Sequence, residues 1–193
     1  MPTKTIASIV LCAALSCATS VAADETDDLT AQGGQLIQQL AGALQTELVA
    51  AMQSGGPVAA VDVCNHQAFD ITYNVSDAAE GWEISRSSHR LRNPANTPDE
   101  YTAAAMDVLL SRAADGETPQ TLVTAEIVED GDERLFRMVR AIPTAEVCTA
   151  CHGGAEVSAE VEAILEDRYP GDLARGFAPG DIRGVFTLTK ALN

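Results

Sequence analysis

Thr121-Leu-Val-Thr-Ala-Glu-Ile-Val128 and Arg134-Leu-Phe-Arg-Met-Val-Arg-Ala-Ile142 are two β-rich runs joined by the acidic loop Glu129-Asp-Gly-Asp-Glu133. A glycine between polar residues, flanked by branched and aromatic side chains, predicts an antiparallel hairpin. Upstream the period changes to that of a helix. Leu36, Ile37, Leu40, Leu44, Leu48 and Met52 mark one helix over residues 29–53, and Ser54-Gly55-Gly56-Pro57 ends it. A second is expected from Val58 to Ser76, with Val61, Cys64, Ala68, Ile71 and Val75 as its apolar stripe. Past Gly81, Trp82 to Arg92 reads as extended, and Asn93-Pro94-Ala95-Asn96 as a turn. Thr97 then caps a third helix, with Pro98 at its first position, Glu100 completing a capping box, and Tyr101, Ala105, Val108 and Leu109 buried. After the hairpin come a short helix, Ala159 to Arg168, and a last strand, Val185 to Lys190. Helices first, then strands paired as hairpins, predict an α+β fold with an antiparallel sheet.

The first 23 residues read as a removable leader. Lys4 supplies the positive start, Ile6 to Leu15 the apolar stretch, and Val21-Ala22-Ala23 the small-residue cleavage site. The apolar run is too short for a hydrocarbon core of about 30 Å, so no membrane span is expected. A lipoprotein with Cys17 as the lipidated residue is the second reading, since Ala14 rather than Leu stands three residues before it. Export, to a periplasm, is the expectation, with residues 24–193 as one domain. That mature part carries 11 basic and 28 acidic residues, a formal charge of −17. Such a balance excludes phosphate-backbone binding, which needs surplus Lys and Arg, and disfavours an anionic membrane surface.

Three cysteines remain after the leader: Cys64, Cys148 and Cys151. An odd number is a poor disulfide framework. Cys148-Thr149-Ala150-Cys151-His152 is C-x-x-C-H, the attachment sequence for c-type haem. Its two thiols, one helical turn apart, can each add to a vinyl group, and His152 can present an imidazole to the iron. A structural zinc site needs a second ligand pair, which the sequence lacks. A thioredoxin-type pair needs a βαβ context, which is also lacking. One covalent haem c is the expected cofactor. For the second axial position Cys64, His66, His89, Met52, Met106 and Met138 are available. His66 lies about 200° round the helix from the apolar stripe, and His89 sits in a polar extended segment. Spacing alone leaves Cys64 and a methionine open.

Four ordered motifs resemble one family: Val61-Asp62-Val63-Cys64, Leu91-Arg92-Asn93-Pro94-Ala95-Asn96-Thr97-Pro98, Cys148-Thr149-Ala150-Cys151-His152-Gly153 and Gly180-Asp181-Ile182-Arg183-Gly184. The family is one of exported single-haem domains that also occur as the sensor part of some bacterial signalling proteins. The resemblance covers about residues 35–190. It implies a PAS-like α+β fold and a haem held by His152 on one side and Cys64 on the other. Ser85-Arg86-Ser87-Ser88-His89 departs from the family's Arg-Thr-Ser-like run. Independently, Arg86, Arg90 and Arg92 would share one side of an extended segment and are candidates for the haem propionates.

Thiolate ligation stabilises ferric iron, and two filled axial positions leave no open site for substrate. The expectation is therefore a non-enzymatic protein for redox sensing or electron transfer. Its acidic surface would steer a basic redox partner. A CO or NO sensor and a haem subunit of a larger complex are the alternatives. No kinase or cyclase segment precedes Asn193, so a sensor would need a partner protein.

Overall fold

The structure is a computed structural model that describes residues 15–131 and 133–192. Most of the expected leader, residues 1–14, therefore lies outside the described residues, as does Asp132 of the hairpin loop. The elements are helix α1 (Leu15–His66), helix α2 (Ala68–Ala78), strand β1 (Trp82–Ser87), helix α3 (Glu100–Ala114), strands β2 (Val123–Asp130) and β3 (Glu133–Pro143), helices α4 (Thr149–His152) and α5 (Ala159–Arg168), and strand β4 (Ile182–Leu192). The four strands form one antiparallel sheet in the order β1-β4-β3-β2. The fold is α+β, as the sequence predicts.

One face of the sheet carries Trp82, Ile84, Phe136, Met138, Phe186 and Leu188, which bury Leu29, Ile37 and Leu40 of α1. Trp82 meets Phe136 edge-on at 5.7 Å between ring centres. Each fully buried side chain of this size contributes about 1.5–3 kcal/mol through removal from water. Gly33 marks the closest approach, since a Cβ there would stand 2.8 Å from the Met138 sulfur. The opposite face packs Val139, Ala141 and Val185 against Met106 and Leu109 of α3.

Helix boundaries differ from the expected ones at Gln67 and at the start of α3. The expected end at Ser54-Gly55-Gly56-Pro57 is kept inside α1: the helical conformation is interrupted at Gly55 (φ −151°, ψ 16°) and Gly56 (φ 68°, ψ −162°), the latter a conformation only glycine adopts readily. The expected single helix from Val58 to Ser76 is two, broken at Gln67 (φ −107°, ψ −28°). Its apolar stripe consequently divides. Val61 joins Val157, Val161, Leu165 and Tyr169, whereas Ile71 and Val75 pack toward the sheet core. α3 is capped by Asp99, whose carboxylate accepts the Thr102 N–H at 2.7 Å, and not by Thr97, whose hydroxyl donates back to the Pro94 carbonyl. Its buried side is Thr102, Met106 and Leu109; Val108 is exposed.

Between α5 and β4 the chain returns through residues 169–181 without regular structure, and a buried ion pair holds it. The Arg92 guanidinium donates from Nε to Asp172 Oδ2 at 3.1 Å, and from Nη2 to the carbonyls of Cys151 (2.6 Å) and Ala174 (3.1 Å). Asp172 also accepts the Ala174 N–H (2.8 Å) and Arg175 Nε (2.6 Å). Burial alone would raise the Asp172 pKa, but its hydrogen bond and attraction to Arg92 outweigh that and hold it below the usual carboxylate range.

Breaking a buried pair by removing one charge leaves the other uncompensated, so Asp172→Asn should cost about 3–5 kcal/mol. Asp62→Asn, which removes an exposed pair with Arg168 (3.1 Å), should cost at most about 1 kcal/mol. Because folding lowers the Asp172 pKa, the unfolded chain binds the extra proton first. Its contribution should therefore be full above about pH 4 and fade below it, and the Asn variant should lack that acid-side loss. Urea unfolding of both variants across pH checks this.

Candidate functional site

The attachment motif is built as one tight turn. Glu146–Cys148 forms a 3₁₀ turn that runs directly into α4, with the Thr149 hydroxyl donating to the Glu146 carbonyl at 2.7 Å. Cys148 and Cys151 thus fall three residues apart on one helical turn, both partly exposed and both free thiols. Gly153 ends the turn. A Cβ there would collide with the Glu156 carboxylate and stand 2.5 Å from the Thr149 carbonyl oxygen, so the chain turns away only with glycine at this position.

His152 is fixed from its backbone and from its ring. Its carbonyl accepts the Phe177 N–H (2.9 Å), and that of Gly153 accepts the Gly176 N–H (2.7 Å). Its Nδ1 lies 2.9 Å from the Ala174 carbonyl oxygen, the same oxygen that Arg92 holds. A carbonyl only accepts, so Nδ1 carries the hydrogen and Nε2 keeps its lone pair. Burial first, then the nearby Arg183 and Arg92 charges, push the His152 pKa down to about 2. The imidazole is thus neutral across the physiological range, with Nε2 available to accept.

These groups open on a cavity of about 290 Å³. Leu44, Leu48 and Val61 from α1, with Ile142 and Phe186 from the sheet, give it an apolar wall. Cys64, Cys148, Cys151 and His152 all line it, so the structure brings the sequence-predicted cysteines and histidine together. Cys64 differs in one respect from the expectation that placed it on a buried stripe. Its side chain is exposed on the cavity wall, beside Val61 and Ala68 of the same stripe. Protein still surrounds it closely enough that burial raises its thiol pKa, against the opposing pull of Arg86, Arg92 and Arg183. Docking on α5 fixes its position, through Val61 in the Val157–Leu165 cluster and through Asp62 with Arg168.

Of the methionines, Met52 lines the cavity, whereas Met106 and Met138 are buried in the two sheet cores. His66 is exposed. His89 is exposed and stacks edge-on to Phe177. The three arginines do not share an extended segment, because β1 ends at Ser87. Arg86 and Arg92 line the cavity. Arg90 instead donates to the Arg175 carbonyl (2.7 Å) and stacks on Phe177 at 3.9 Å, apart from the cavity wall.

Arg183 is the residue that sequence reasoning passed over. It lines the cavity, approaches His152 Nε2 to 3.3 Å and donates to Ser88 Oγ at 3.2 Å. Burial lowers its pKa to about 10, and neither it nor Arg86 has an ion pair among the described residues. The signal lay in the motif around it. Gly180, at φ 94°, makes the turn, and Gly184 lets β4 approach the end of β1, where a Cβ would collide with the Ser87 carbonyl oxygen.

The chain is similar to the crystal structure of the cyanobacterial heme-protein Tll0287, at 23% identity and a TM-score of 0.59, over 86% of this chain and 94% of that one. At that identity the likeness concerns the fold. No match is found among curated proteins. The sequence model of the Tll0287-like family matches residues 15–190, which takes in every motif that meets at the cavity, and the chain belongs to that family.

Proposed function

We propose that the protein binds one haem c, attached through Cys148 and Cys151 with His152 and Cys64 as axial ligands, and that it serves redox sensing or electron transfer rather than catalysis. One observation carries the reading: four motifs far apart in sequence converge on a single cavity that has two thiols on one turn, an oriented neutral imidazole and a third thiol. The chemistry of the wall fits the group. Its aliphatic residues suit a porphyrin ring. Arg86 and Arg183 are cations without a carboxylate partner among the described residues, and Arg86 Nε is buried with no hydrogen-bond partner. Leaving such groups unmet costs about 1–3 kcal/mol each, and propionates would meet them. Arg92, already committed to Asp172, is better suited to holding the His152 loop than to a propionate. The likeness to a heme-protein agrees with the reading.

When bound, haem supplies one-electron chemistry whose potential depends on the axial ligands. The protein's part is to hold His152 in one tautomer through Ala174, to keep Cys64 at the wall, and to shield both within apolar surroundings. Export through the 1–23 leader to a periplasm belongs to this proposal, since covalent attachment through this motif takes place on the exported side, and so does an encounter with a basic redox partner. A second reading, a CO or NO sensor, is favoured by the setting of Cys64. It stands on a short segment, residues 57–66, between the Gly56 kink and the Gln67 break, so loss of the thiolate from iron could release that segment.

Three measurements test these readings. Matured in a host that installs haem c, the wild type should keep its pigment on a denaturing gel, whereas the Cys148→Ala, Cys151→Ala double variant should lose it; pigment that leaves the wild type would refute covalent attachment. Cys64→Ala should abolish the low-spin thiolate signature of the ferric spectrum, and Met52→Ala should leave it in place; the reverse pattern assigns the second ligand to Met52. Stopped-flow mixing of the reduced protein with CO should show ligand uptake for a gas sensor, and none, with fast reversible electron exchange, for an electron carrier.

A further inference from the structure

A second cavity, of about 430 Å³, lies along the outer edge of β1, between α2, the Pro94–Asn96 turn, the N-terminus of α3 and the sheet. Its volume is within the range of small-molecule sites. α2 turns toward it a helix face, Phe69, Thr72, Tyr73 and Ser76, on which Ser76 Oγ accepts the Ile84 N–H of β1 at 3.0 Å while Phe69 and Tyr73 stay exposed. The two aromatic rings on that face are 60% and 59% exposed, one helical turn apart. They offer flat apolar platforms beside polar groups. The floor consists of hydroxyls, Ser85, Thr187 and Thr189, which the β1–β4 register sets on one sheet face.

The charged part of the wall is more specific. Among the described residues, the buried side-chain nitrogens with no hydrogen-bond partner are Arg86 Nε and Arg137 Nε, and both arginines line this cavity. Arg86 stands in the walls of both cavities, with Nη2 on the Ala68 carbonyl at 3.1 Å. Arg137 donates through Nη2 to Asp99 Oδ2 at 2.5 Å, which leaves its Nε–H unmet. Asp99 is in turn committed to Arg137 and to the Thr102 N–H, and Glu83, the other carboxylate of the wall, is exposed. Unmet guanidinium donors in a protein with a formal charge of −16 select a ligand with a planar, two-oxygen anion. Phe69 and Tyr73 select a flat ring.

We propose that this cavity is a separate binding site for a small aromatic carboxylate, its anion on the unmet N–H of Arg137 and its ring against Phe69 and Tyr73. The site uses none of Cys64, Cys148, Cys151 or His152, and although Arg86 and Phe69 stand in both walls, Arg137 and Tyr73 line this cavity and not the first, so variants at those two test it apart from the haem reading. Equilibrium dialysis of the purified full chain against labelled benzoate, with benzyl alcohol as the neutral analogue, tests it. Saturable one-site uptake of benzoate is expected, weakened at least about tenfold in Arg137→Gln and roughly threefold to tenfold in Tyr73→Ala, with no uptake of benzyl alcohol. Tyr73 is exposed, so its variant decides the matter should Arg137→Gln fail to fold by circular dichroism. The proposal is overturned by absence of saturable benzoate uptake, by equal uptake of benzyl alcohol, or by affinity unchanged in the folded variants.

Discussion

The buried pair of Arg92 and Asp172 is the constraint on which the site depends. Two charges withdrawn from water are tolerable only when their remaining hydrogen-bonding capacity is met. Here it is met by the backbone of the segments that carry the site. Arg92 takes the carbonyls of Cys151 and Ala174, and Asp172 takes the Ala174 N–H and Arg175. The same Ala174 carbonyl then fixes the ring of His152. A loop with no helix or strand of its own is thereby given one conformation. The orientation of the histidine follows from an ion pair and not from local propensity.

The charge of the chain and the charge of its interior have opposite signs. A surplus of acidic residues covers the surface, whereas Arg86, Arg92 and Arg183 converge behind the cysteines. Of the three, only Arg92 has a carboxylate among the described residues. Burying cations in this way is unfavourable unless an anion joins them. That imbalance is the strongest physical indication that the cavity is made for an acidic, largely apolar group. The lowered pKa values of Arg86 and Arg183, both caused first by burial, express the same tension.

Much of this was legible in the sequence, where local chemistry governs. The acidic turn at Gly131, the α5 helix behind its Ser158 cap, and the cysteine-histidine turn follow from neighbouring residues alone. Features set by contacts across the fold were not. The cap of α3 passes from Thr97 to Asp99 because Arg137, on a distant strand, draws the Asp99 carboxylate. Val108 is exposed because the face of α3 that packs on the sheet carries Thr102, Met106 and Leu109. No glycine or proline announces the break at Gln67, which divides one expected helix into two. Arg183 lies in the Gly180–Gly184 motif, ahead of the expected strand, with nothing local to mark it as a cavity residue. Its role emerges only when Gly184 allows β4 against the end of β1.

An anomalous-scattering map at the iron edge, from crystals of the protein matured with haem, tests the central claim most directly. One iron peak is expected within bonding distance of His152 Nε2, with Nδ1 still on the Ala174 carbonyl and Cys64 on the other side of the metal. A peak elsewhere, or a His152 ring turned away from it, would contradict the account.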